Sequence, residues 1–121
     1  MSNNQLPKRK YDLEDRTAEF GESIIDLCKK VSKNEITRPI INQLVRAGTS
    51  VGANFCEADD AVSKKDFKNK IGICKKESRE SKHFLRMLAR AVPEMKNDIS
   101  KNWQEAKELN LIFNTIFRKI S

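Results

Sequence analysis

The chain has 121 residues, with 24 Lys and Arg against 17 Asp and Glu, for a net charge of +7. That is one domain's length, and four glycines and three prolines are few for an all-β chain and suit long helices. No apolar run approaches the roughly 18 residues that span a bilayer, and residues 1–10 lack the apolar segment of a signal peptide, so a cytoplasmic protein is expected.

Residues 1–11 read as a flexible basic arm ending in Lys8, Arg9 and Lys10, and residues 12–121 as the folded domain. A first helix is expected from about Asp12 to Lys33, because Phe20, Ile24, Leu27, Cys28 and Val31 recur on one helix face. Ser32 to Glu35 form a turn. A second helix opens near Thr37, with Pro39 in its first turn, where a missing N–H costs nothing. Ile40, Leu44, Ala47, Val51 and Ala58 share its apolar face, beside a small-residue face carrying Gly48 and Gly52. Mid-helix glycines cost roughly 1 kcal/mol each relative to alanine, so another helix should approach closely there. After a turn over Asp59 to Val62, Ser63 and Asp66 form a capping box that opens the third helix. Its Phe67, Ile71, Cys74, Ser78, Ser81, Leu85 and Leu88 keep 4-3 spacing. The small middle of that seam permits tight packing against the glycine-bearing helix. Pro93 ends it. The fourth helix is expected from about Ile99 to Ile120, with Trp103, Ala106, Leu109, Phe113, Ile116 and Ile120 as its stripe. The fold class is all-α: an up-down-up-down antiparallel four-helix bundle.

Nothing in the chain spells out a reaction. Cys28, Cys56 and Cys74 form no Cys-x-x-Cys pair, and each stands in a helical pattern beside apolar residues, where a free thiol behaves as a small hydrophobe. All three are expected in the core, in a reducing compartment. Glu80 and His83 have the Glu-x-x-His spacing of di-iron bundles, but His83 is the only histidine, and that chemistry needs two such motifs plus further carboxylates. No nucleophile turn or glycine-rich phosphate loop occurs. Neither a catalytic site, a metal nor a cofactor is expected.

Two polar features remain. If the turn near residue 62 sets the antiparallel register, Arg46 falls beside Glu77, and Asn54 and Glu57 fall near Lys70. These five read as a structural polar network that fixes register. The second feature is charge. Residues 64–91 carry ten Lys and Arg against three Asp and Glu, which accounts for the whole +7 excess. Lys68, Lys75, Arg79, Lys82, Arg86 and Arg90 share an arc of about 80° at about 100° per residue. A one-sign stripe repels itself, and phosphate backbone is its natural partner. No aromatics interleave the stripe, so base stacking is not indicated. Ile73, Phe84, Met87, Ile112 and Phe117 lie off the main apolar stripes and read as an oligomer interface.

The run Gln43-Leu44-Val45-Arg46-Ala47-Gly48-Thr49-Ser50-Val51-Gly52-Ala53-Asn54, followed by Glu57-Ala58, resembles the signature of the four-helix bundle proteins encoded by intervening sequences in bacterial 23S rRNA genes. The likeness continues through Lys65-Asp66-Phe67, Lys70-Ile71, Lys76-Glu77-Ser78-Arg79-Glu80-Ser81 and Leu85, and covers roughly residues 13–120. Arg46, Asn54, Glu57, Lys70, Glu77 and Glu80 match that family's recurrent polar positions, and the basic arm lies outside the pattern. The resemblance implies an up-down bundle and a ring-shaped homo-oligomer, a pentamer first, without an established activity. A similar bundle is the basic pentameric accessory protein of diversity-generating retroelements, which binds nucleic acid. The expected function is thus a non-enzymatic homo-oligomer that binds RNA or DNA backbone, without sequence specificity, through Lys68, Lys75, Arg79, Lys82, Arg86 and Arg90, aided by Lys8, Arg9 and Lys10. The alternative is a homo-oligomeric scaffold for an unidentified protein partner, with no nucleic-acid role.

Overall fold

The computed structural model describes residues 12–120. The basic arm with Lys8, Arg9 and Lys10 lies outside them. Four helices follow in order: α1 (Leu13–Lys29), α2 (Thr37–Asp59), α3 (Lys64–Ala91) and α4 (Lys96–Lys119). A single 3-10 turn, Pro93–Met95, leads into α4. Among the described residues no helix is long and apolar enough to cross a membrane.

Side-chain caps set the starts of α1 and α3. The Asp12 carboxylate accepts from the Asp15 N–H at 3.2 Å, and the Ser63 hydroxyl accepts from the Asp66 N–H at 3.0 Å. α1 ends four residues before its expected limit. Side chains there compete with the helix for backbone groups: Asn34 Oδ1 accepts from the N–H groups of Ile36 and Thr37, while the Thr37 hydroxyl donates to Ser32 O at 2.7 Å. α4 starts at Lys96, three residues earlier than expected. Pro93 stops α3 and also opens the 3-10 turn, where its missing N–H is not needed.

Each helix packs against its neighbours in sequence, and α4 returns to α1, so the four close a square. Cross-helix partners run in opposite senses, as antiparallel packing requires. Between α1 and α4 these are Arg16 with Glu105 at 2.7 Å and Glu108 at 2.9 Å and Ser23 with Asn102 at 2.7 Å, followed by Lys30, just past the end of α1, with Asp98 at 3.9 Å. The core holds Phe20, Ile24, Leu44, Val51, Ile71, Leu85, Leu88, Ile99, Leu109 and Phe113. On α2 the buried apolar residue of the first turns is Ile41, with Ile40 half-buried. The small middle of the α3 seam is buried cheaply, because Ser78 and Ser81 hydroxyls donate to the carbonyls of Lys75 and Glu77 on their own helix.

Two expectations need correction. Cys56 is exposed, while Cys28 and Cys74 are buried; Cys56 sits on the outer side of α2, one helix face away from Val51. Burial pushes the Cys28 thiol up to about 11 and the Cys74 thiol to about 12, so both are neutral hydrophobes. The glycine face of α2 serves α1, not α3. A Cβ on Gly48 would lie 2.9 Å from Ile24 Cγ1, and one on Gly52 would lie 3.3 Å from the Thr17 backbone. α3 packs along another side of α2, where the Cys74 thiol reaches Val51 O at 3.5 Å and Arg46 meets Glu77.

In the polar network Arg46 Nη1 donates to Glu77 Oε1 at 3.0 Å, Nη2 to Glu80 Oε1 at 2.7 Å, and Nε to Gln43 Oε1 at 3.1 Å. Glu80 and Glu77 together raise the Arg46 pKa. The pair is asymmetric: the Glu77 side chain is 7% exposed and that of Arg46 is 47%. Its second half does not form. Lys70 makes no ion pair with Glu57 among the described residues, and the Asn54 amide turns back to Ser50 O at 2.9 Å on its own helix. Glu57 stays in solvent, where a lone pair with lysine gains little.

Two outcomes follow from this packing. Gly48→Ala should gain about 1 kcal/mol in helix propensity and lose about 1–3 kcal/mol to overpacking against the fully buried Ile24. The net expectation is a loss of about 1 kcal/mol, read as a lower urea midpoint at unchanged slope. Arg46→Ala strands the buried Glu77 carboxylate and should cost about 2 kcal/mol, between exposed and buried ion pairs. Glu80→Ala, which leaves the Arg46–Glu77 bond in place, should cost less than about 1 kcal/mol in the same titration.

Candidate nucleic-acid interface

α3 is the longest helix, and its polar arc is positioned by what its seam buries. With Ile71, Cys74, Ser78, Ser81, Leu85 and Leu88 facing inward, Lys68, Lys75 and Lys82 fall at the boundary with α4. Arg79, Arg86 and Arg90 stand exposed beyond them. None of the ten cations of α3 forms an ion pair among the described residues. The reason lies across the α2–α3 seam. Glu77 and Glu80, the acids in the middle of α3, are both taken by Arg46. The remaining acid, Asp66, sits in the first turn, where the helix dipole favours it.

The inner cations rest on aromatic rings supplied by α4. Lys68 Nζ lies 4.9 Å and Lys75 Nζ 4.6 Å from the centre of the Phe117 ring. Lys82 Nζ lies 5.8 Å from the Trp103 ring, which Lys107 of α4 also approaches at 5.6 Å. Ammonium groups are attracted to the negative faces of such rings. The Phe117 ring is seated on Gly72, where a Cβ would come within 3.2 Å of Cε1. Between the two rings Asn110, 8% exposed, donates to Lys75 O at 2.8 Å and approaches Ser78 Oγ at 3.2 Å. It ties α4 to the middle of the stripe. A broad groove open to solvent runs over this region, lined by Arg46, Lys75, Arg79, Lys82, Asn110, Asn114 and Phe117 among others.

The sequence does not assign the rings to this surface. It places Phe84 and Phe117 at an oligomer interface; in the single chain both are half-buried and pack partly against the core. Ile73, Met87 and Ile112 are half-buried. A signal for the ring surface did exist. Trp103, Lys107, Asn110, Asn114 and Phe117 share one face of α4, and the two rings are fourteen residues apart, as are Lys68 and Lys82. Only the α3–α4 register converts that coincidence into contact.

The arrangement can attract and hold anions. His83 stacks edge-on to Phe84 at 5.3 Å, and among the described residues no group of three His, Cys, Asp or Glu side chains could hold a metal ion.

Comparison with known proteins agrees with this architecture. A crystal structure of a protein of unknown function from the S23 ribosomal protein family of Bacteroides thetaiotaomicron is 29% identical, with a TM-score of 0.78. The match covers 88% of this chain and 98% of the other. No curated protein matches. The family model described as 23S rRNA-intervening sequence protein matches residues 9–115. The match spans all of α1, α2 and α3 and most of α4, and the chain therefore belongs to the 23S rRNA-intervening sequence protein family.

Proposed function

We propose that this protein is a non-enzymatic, cytoplasmic homo-oligomer that binds the phosphate backbone of RNA or DNA through the basic face of α3. The observation that carries the reading is the unneutralised stripe. Ten cations stand on one helix against three acids, and two of those acids, Glu77 and Glu80, are occupied by Arg46. A one-sign stripe contributes nothing to the stability of its own helix, so a partner of opposite charge is its physical rationale. Lys68, Lys75, Lys82, Arg79, Arg86 and Arg90 supply contacts to phosphates, which carry no sequence information. Lys8, Arg9 and Lys10 add to the same charge.

Ile73, Met87 and Ile112, half-buried in the single chain, together with Leu111 at 55% exposure, support assembly. A bundle of this size leaves such residues at its surface unless a second copy covers them. We place them in a head-to-tail interface that closes a ring, five copies first. Repetition of the stripe around a ring lets weak phosphate contacts add through avidity.

Two measurements test this reading. Replacing Lys75, Arg79, Lys82 and Arg86 together with Glu is expected to abolish binding in an anisotropy titration while circular dichroism stays unchanged. Wild-type affinity should fall by about a thousandfold between about 50 and 200 mM salt if about six phosphates are neutralised. Absence of binding at low salt, or binding unaltered in the quadruple variant, favours the scaffold role instead. Light scattering on the full chain should give several times the 13.9 kDa monomer mass; a monomer at micromolar concentration refutes the ring.

A further inference from the structure

We infer that the partner of the α3–α4 surface is single-stranded nucleic acid, whose bases stack on Phe117 and Trp103. The inference rests on the backbone-binding reading above and narrows it.

Cations alone do not distinguish a strand from a duplex. Aromatic rings set among the cations do, because a duplex keeps its base faces stacked inside and a single strand offers them. The structure supplies that interleaving across two helices. Phe117 lies between Lys68 and Lys75, and Trp103 lies between Lys82 and Lys107. Both rings are half-buried, so each is anchored at one edge. Phe117 is fixed on the Gly72 backbone, and Asn110 holds α4 in register with α3 between the two sites. At about 1.5 Å rise per residue the rings stand roughly 21 Å apart along α4, a span for a strand of several nucleotides that meets cations on the way.

The cations set against the rings are removable, because each is the ammonium end of a flexible lysine. When a lysine swings from ring to phosphate, the cation keeps a favourable partner and the ring face is freed for a base. An exposed ammonium–ring contact is weaker than a base–ring stack, so the exchange favours the bound strand. A duplex gains the phosphate contacts but leaves the uncovered rings without a partner. Rings accept any base, so the surface stays indifferent to sequence, and ring stacking does not distinguish ribose from deoxyribose.

Trp103 is the only tryptophan in the chain, so its emission reports this site directly. The experiment titrates the full chain at low salt with oligo-uridine and oligo-deoxythymidine of about 15 nucleotides, and with RNA and DNA duplexes of equal length. Trp103 emission is expected to be quenched by both strands and not by either duplex, with the strands bound at least tenfold more tightly. Trp103→Leu and Phe117→Leu should each weaken strand binding about tenfold and leave duplex binding within about twofold. The wild-type quenching needs no variant, so a variant that misfolds does not spoil the test. Emission unchanged at saturating strand, or a duplex bound as tightly as a strand, overturns this inference and leaves the basic-stripe reading intact. Failure of every nucleic acid to bind removes both.

Discussion

A carboxylate taken out of water must find a partner, and Glu77 sits at that requirement in the middle of α3. Its side chain is nearly covered, and the guanidinium of Arg46 answers it from α2. One contact of this kind sets a helix pair to a single register, because a shift of one turn would leave the charge buried and alone. On the opposite flank of α3, Asn110 donates to Lys75 O and fixes α4 in the same way. α3 is therefore pinned between its neighbours by polar groups, while its small seam lets them approach. α1 reaches the assembly differently, through the close approach at Gly48 and Gly52 and a polar seam with α4.

The charge surface is a consequence of those registers. Arg46 withdraws Glu77 and Glu80 from α3, which leaves the cations of that helix unopposed. The α4 register then brings Phe117 and Trp103 beneath Lys68, Lys75 and Lys82. The rings soften the repulsion among neighbouring lysines without neutralising them, and they hold the ammonium groups at one edge of an open groove. The acids gathered on the α2 side and the rings gathered on the α4 side divide α3 into a structural flank and a binding flank.

Much of this was legible in the residues. Apolar periodicity gave four helices, and the capping box at Ser63 and the punctuation at Pro93 placed their ends to within a few residues. Hydrophobic spacing picked out the α3 seam, because burial on one helix face depends only on the helical repeat. The turn between α2 and α3 is short, so counting from its centre put Arg46 beside Glu77. The same counting failed for Lys70 with Asn54 and Glu57, since side chains near a solvent-exposed helix end find cheaper partners in water or on their own helix. It also assigned the glycine face of α2 to the wrong neighbour, because a helical wheel ranks faces but does not say which helix lies against each.

By itself, then, the sequence determined the helices, their apolar faces, the localisation of positive charge on α3 and the Arg46–Glu77 pair, all of which follow from local periodicity and one short connection. Only the tertiary structure decided that α1 fills the glycine face, that Cys56 lies outside the core, and that rings from α4 stand among the cations of α3. Those are relations between helices distant in the chain. Their register is set by the packing of side chains from both partners, a property that no single helix carries.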